Sequence, residues 1–192
     1  MGQKDAFSVS NGRSAQIVQP PQVIARVLSD DGTFPNNEQL PLLVYTPALI
    51  LPAGDAAEAF ETVFAANEWG SSWRNGVYGY HHYHSTAHEV LGIYAGTAKV
   101  QLGGPSGVVL TVTPGDVVII PAGVAHKNLG ASTNFRCVGA YPLGQQWDMN
   151  YGRPGERPRA DENIAAVAVP GTDPVYGAGG PLADHWTATR AG

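Results

Sequence analysis

The sequence predicts an all-β, mainly antiparallel fold, on three observations. Glycine and proline are abundant, with 24 and 15 of 192 residues, a composition that favours short strands and tight turns over long helices. Between Tyr78 and Pro142, apolar and β-branched runs recur every eight to twelve residues and alternate with Gly, Pro and Asp turns, the spacing of a barrel or sandwich. One helical pattern, from Asp55 to Trp69, precedes this run.

Residues 1–21 are polar and close on Pro20 and Pro21, which reads as an N-terminal arm. Val23 to Leu28 is a first strand. Asp30 to Gly32 and Phe34 to Asn37 carry turn chemistry, and Leu42 to Thr46 is a second strand. Asp55 is the expected N-cap of a helix running to Trp69, with Phe60, Val63 and Phe64 at helical spacing and Gly70 as its stop. Further strands follow at 90–94, 98–102, 108–113, 117–120 and 135–138. Gly103 and Gly104 form a turn. From Gly144 the chain becomes rich in Gly, Pro, Asp and Ala, and Val167, Val169, Val175, Tyr176 and Trp186 can anchor it as a wrap. The expected organisation is the arm, 1–21, and a single domain, 22–192, whose last part, 144–192, is that wrap.

Charge narrows the function. The formal net charge is −5 and the basic residues are scattered. Arg153, Arg157 and Arg159 come nearest to a cluster, but Glu156, Asp161 and Glu162 stand among them. No basic footprint for nucleic acid results. No apolar run reaches membrane-spanning length, and the start lacks the apolar stretch of a secretory signal. Cys137, the single cysteine, can form no internal disulfide. A cytoplasmic protein, with no nucleic-acid or membrane partner, is expected.

Five of the six histidines fall in two short segments. In an extended chain, residues two apart share a face, so His82 and His84 can present two imidazoles side by side, with Tyr80 on the same face. A turn over Ser85 to His88 lets Glu89 open the next strand facing the same point. The turn at Pro121 to Gly123 can return the chain so that His126 arrives from an adjacent strand. Three imidazoles and a carboxylate make a borderline-hard site suited to one divalent transition metal: Fe, Mn, Ni, Co or Zn. A rival register groups His81, His84 and His88 on one helical face. The residues around them favour strand, and Gly92 stands where a His-Glu-x-x-His zinc motif needs its second histidine. His81 and His88 then serve as hydrogen-bonding residues at a turn or interface. Phosphate-loop and Gly-x-Ser-x-Gly signatures are missing from the sequence, and no catalytic residue is assigned.

Gly76, His82-x-His84, Glu89 and Gly96 resemble the first motif of the cupin superfamily. Gly115, Pro121-x-Gly123 and His126 resemble the second, although Asn128 follows His126 sooner than the motif's usual asparagine. The run from His81 to Gly92 further resembles the YjlB-like bacterial cupins. The resemblance spans 76–128, with the motifs at 76–96 and 115–128. It implies a jelly-roll β-barrel with one flanking helix, metal ligation by His82, His84, Glu89 and His126, and a homodimer. Four ligands on an octahedral ion leave two positions for a small molecule, O2 or water. A metal-dependent enzyme of dioxygenase or isomerase type is the first expectation. A non-catalytic metal- or small-ligand-binding or sensor protein is the alternative. Tyr80, Asn128 and Arg136 are candidate substrate contacts.

Overall fold

The computed structural model describes residues 17–186. Its strands are β1 Gln22–Leu28, β2 Asn37–Thr46, β3 Trp69–Asn75, β4 Glu89–Ala95, β5 Ala98–Leu102, β6 Val108–Val112, β7 Val117–Ile120, β8 His126–Ala131 and β9 Arg136–Pro142. Its helices are α1 Ala56–Ala66, α2 Arg159–Ala166 and α3 Pro181–His185. A six-stranded sheet in the order β1-β2-β7-β4-β9-β3 faces a three-stranded one, β6-β5-β8. All pairings are antiparallel. Neighbours such as β2 and β7, or β4 and β9, lie far apart in sequence, which is jelly-roll rather than hairpin connectivity.

Strand alternation builds two apolar layers. Leu42, Val44, Leu91, Ile93, Val118, Ile120 and Cys137 point between the sheets and meet Val100, Leu102 and Val112. Leu43, Tyr45, Val90, Val117, Ile119, Val138 and Ala140 point to the other face of the large sheet, where α1 and the tail cover them.

Asp55 caps α1, its carboxylate accepting from the N–H groups of Ala57 at 3.0 Å and Glu58 at 3.1 Å. The helix buries Ala57, Phe60, Val63 and Phe64. It stops at Ala66, short of the expected Trp69, because the chain reverses at Asn67 and Glu68 (φ 65°) and Trp69 opens β3 opposite Pro142. Trp69 is buried in the same cluster as the helical aromatics, so it extends their stripe without belonging to the helix. Gly92 on β4 lies under this helix, and a Cβ there would stand 2.3 Å from Phe60 Cδ1.

The described end of the expected arm is tied down: Val18 bridges Leu49, and Gln19 N–H donates to Ala48 O. In the tail, Val175, Leu182 and Trp186 are buried against the large sheet. Asp173 fastens that tail, its carboxylate accepting from Tyr45 Oη at 2.6 Å and from the N–H groups of Val175, Tyr176 and Leu182 at 2.8–3.0 Å. The expected irregular wrap with one flanking helix outside it is thereby refined, because α2 and α3 lie within the tail, α2 turning Ala160 and Ile164 inward and α3 spanning five residues.

Candidate metal centre

The residues after β3 do not form the regular strand expected around the first histidines. His82 and Tyr83 make isolated bridges, to His126 and Asn150 respectively. The bridge still fixes the site. His82 N–H donates to His126 O at 3.3 Å, and His126 N–H donates to His82 O at 2.9 Å, bringing the two ring centroids to 4.0 Å. Alternation also survives locally. His82 and His84 turn into the space between the sheets, whereas Tyr83 turns away to pack with Phe34, Ala125 and Ala160. The Pro121–Gly123 turn delivers His126. Gly123 has φ 93°, and a Cβ on it would lie 2.3 Å from Asn36 O, so only glycine fits this turn.

Ligand atoms of His82, His84 and His126, all buried, lie within 4.8 Å of one another. Each ring is turned by a backbone carbonyl: Nδ1 of His82 meets Tyr80 O, that of His84 meets Asp148 O, and that of His126 meets Val124 O. A carbonyl only accepts, so in the neutral ring Nδ1 carries the proton and Nε2 keeps its lone pair. Oε2 of Glu89 lies 3.4 Å from Nε2 of His84 and 3.2 Å from Nε2 of His126. It is buried and makes no properly directed hydrogen bond. Buried carboxylate oxygens rarely go unpartnered. Unpaired lone pairs converging beside an unpaired carboxylate oxygen fit a cation between them. Oε1 is held separately by Tyr141 Oη at 3.0 Å, and that hydroxyl accepts from Trp73 Nε1 at 3.0 Å.

Without an ion, these groups perturb one another. Burial, reinforced by the neighbouring His126 charge, pushes His82 down to about 3. Burial opposes the charged form of His84 too, but the Glu89 carboxylate outweighs it and raises that imidazole. Burial likewise works against ionised Glu89, yet His84 and His126 hold it well below the usual carboxylate range.

The helical histidine register is not assembled. His88 Nδ1 accepts from Ala122 N–H at 2.9 Å, and its ring packs on Trp186 at 4.7 Å. His81 lies against Phe34 at 5.3 Å.

A profile of the cupin domain matches residues 74–138. The protein YjlB of Bacillus subtilis is 43% identical over 157 residues, which cover 82% of this chain and 92% of YjlB. This chain is a YjlB-family cupin. Among solved structures, the cupin resembles the epimerase RmlC of Legionella pneumophila at 14% identity, TM-score 0.37, covering 62% of this chain and 71% of RmlC. It resembles a cupin 2 domain-containing protein of Halorhodospira halophila at 14% identity, TM-score 0.33, covering 78% and 83% of the two chains.

In this cupin the four grouped residues stand in the wall of a cavity of about 250 Å³, together with Trp73, Tyr78, Leu91, Tyr141, Trp147 and Met149. Tyr80, Asn128 and Arg136 do not line it. Tyr80 is exposed and stacks on Tyr78 at 5.0 Å. A bulge in β8 between its pairings with Lys99 and Val100 lets the Asn128 side chain accept from Gly130 N–H instead. Arg136 is exposed because the alternation of β9 that sends Cys137 inward sends its neighbour outward. The same alternation, followed to Pro142, carries Tyr141 into the site. That signal stands in the sequence but needs the strand's full length. Trp147 and Asp148 come from the loop after β9, where no periodicity announces them. Burial pushes the thiol of Cys137 up to about 12, with the Glu89 charge adding to it, so it is no nucleophile.

Proposed function

We propose that His82, His84, Glu89 and His126 hold one divalent transition metal and that this cupin is a metal-dependent enzyme, of dioxygenase or isomerase type, acting on a small molecule. The observation that carries this reading is the position of the four side chains in the wall of a cavity. Structural metal sites are closed by their protein ligands, whereas catalytic ones keep a position open to solvent or substrate. A bound ion would supply Lewis acidity to an oxygen entering that position. The chain's own residues orient the donors. Three carbonyls fix the imidazole tautomers, and Tyr141 keeps one carboxylate oxygen of Glu89 away from the others.

Elemental analysis of protein purified without a metal-affinity tag tests the reading. About one ion per chain is expected, and Glu89→Gln should lower that ratio sharply. A wild-type ratio near zero after growth and dialysis with each of Fe, Mn, Co, Ni and Zn overturns it. A homodimer is part of the proposal. β1 is an edge strand of the large sheet and exposes Val23 and Val27, a face that pairing with a second copy would cover. Light scattering that gives the monomer mass at micromolar concentration overturns this part.

A further inference from the structure

The side chains around the cavity restrict what can enter. Its volume of about 250 Å³ exceeds the ~150 Å³ that houses a benzene molecule, so one substituted ring fits. The side walls are aromatic. Trp147 and Tyr141 lie nearly parallel, at 23° with centroids 6.0 Å apart, and Trp73 and Tyr78 line the cavity with them. Such faces favour offset or edge contacts with another flat ring.

Polar capacity has been spent elsewhere. Arg74 is the one lysine or arginine among the lining residues, and it gives two bonds to Glu61 and one to Asp55, at 2.6–2.9 Å. The Tyr141 hydroxyl is engaged on both sides, and each imidazole Nδ1 faces a carbonyl. Asn75 and Tyr78 are both exposed, and Oδ1 of Asn75 accepts from Gly76 N–H. A polyhydroxylated ligand would lose its bonds to water here and find few replacements. A phosphate would find no free guanidinium or ammonium.

The charge of an ion remains. Three neutral imidazoles and one carboxylate leave a divalent cation with one positive charge uncompensated. An anionic oxygen neutralises it. A phenol, with an ordinary pKa near about 10, would first have to give up its proton, and no lining group is free to take it. A carboxylate arrives already ionised.

We propose that the ligand of this site is a single-ring aromatic carboxylate, its ring against the Trp147–Tyr141 wall and its charge met by the metal instead of an arginine or lysine. This inference rests on the metal reading above. The test uses full-length protein loaded with cobalt(II), titrated with benzoate, cyclohexanecarboxylate and glucose 6-phosphate and followed by calorimetry and the visible cobalt bands. Cyclohexanecarboxylate has the same donor and similar bulk but no flat ring. Benzoate should shift the bands and bind about tenfold more tightly than cyclohexanecarboxylate, with no heat from glucose 6-phosphate. Metal-stripped protein should not bind benzoate. Trp147→Leu, at a half-exposed position, should keep the metal ratio, weaken benzoate about fivefold to tenfold and leave cyclohexanecarboxylate unchanged. Equal affinity for the two carboxylates, tighter binding of the sugar phosphate, or no response to benzoate overturns the inference while the metal reading stands. Protein that takes up no cobalt or other ion overturns both.

Discussion

Replacing Gly92 by alanine probes the join between the helix and the site-bearing strand. The backbone at Gly92 is ordinary β4 strand, so alanine meets no conformational barrier there. Its methyl group does meet Phe60, at 2.3, 2.7 and 2.8 Å from three ring carbons. Phe60 is fully buried between α1 and the sheet, so the ring can yield only if the helix lifts. Overpacking of this kind costs about 1–3 kcal/mol. For a chain of this size, each kcal/mol moves Tm by roughly 2–4 °C, so Gly92→Ala should melt roughly 2–12 °C below wild type. Glu89 and Leu91 face the opposite side of β4, and metal content should not change. Calorimetric melts of Gly92→Ala, Phe60→Leu and the double variant close a thermodynamic cycle. The double variant should lose less than the sum of the singles, because the smaller side chain removes the collision. A Gly92→Ala protein that melts with wild type, or strictly additive losses, would refute the packing argument.

Three further outcomes are expected. His82→Ala should lower metal occupancy sharply while His81→Ala leaves it nearly intact; the reverse, by elemental analysis of both purified variants, would restore the helical register. Tyr141→Phe should retain metal but lose about 1.5–3 kcal/mol in chemical denaturation, the scale of a hydrogen bond to a charged group; a loss under about 0.5 kcal/mol would count against the Trp73–Tyr141–Glu89 chain. Metal-free protein should be destabilised by acid, because burial lowers His82 to about 3 and His88 to about 4. Both imidazoles take up protons near about pH 6.5 when unfolded. Their stabilisation is therefore complete above that value and is lost as pH falls from about 6.5 through about 4 and below. His84, which is raised, contributes the opposite slope above about 6.5. Denaturant melts at pH 7.5 and 5 decide, and greater stability at pH 5 would contradict the buried, neutral state of His82 and His88.

Much of this molecule is legible in the sequence because local rules and tertiary packing agree. Asp55 caps where its side-chain chemistry says it should, and the period-two runs from Val90 to Ile120 become strands. Legibility fails where one residue type serves two elements. Trp69 reads as helix because it fills the same apolar layer from a strand. It also fails where a contact depends on distant chain. Nothing near Arg136 tells which face of β9 it takes until the pairing of that strand with β4 is known. Asn128 keeps the alternation that starts at His126, but its side chain turns to Gly130 N–H across the bulge that follows it, a local bond that alternation does not report. Asp148 offers a main-chain oxygen, which has no signature in side-chain chemistry at all.

The carbonyls that aim the three imidazoles differ in how far they lie along the chain. His82 and His126 each lean on the residue two positions before them, and the two backbones hold each other. His84 leans on Asp148, 64 positions later, whose carboxylate is kept by Ser85 and Asn150. During synthesis, the first pair can be set once β8 has left the ribosome, but the third donor waits for the loop beyond β9. An ion captured early would sit on an incomplete set of donors and exchange readily. Firm retention of the proposed ion would therefore begin only after Asp148 has emerged, which would make metal loading follow the folding of β9 and the loop beyond it.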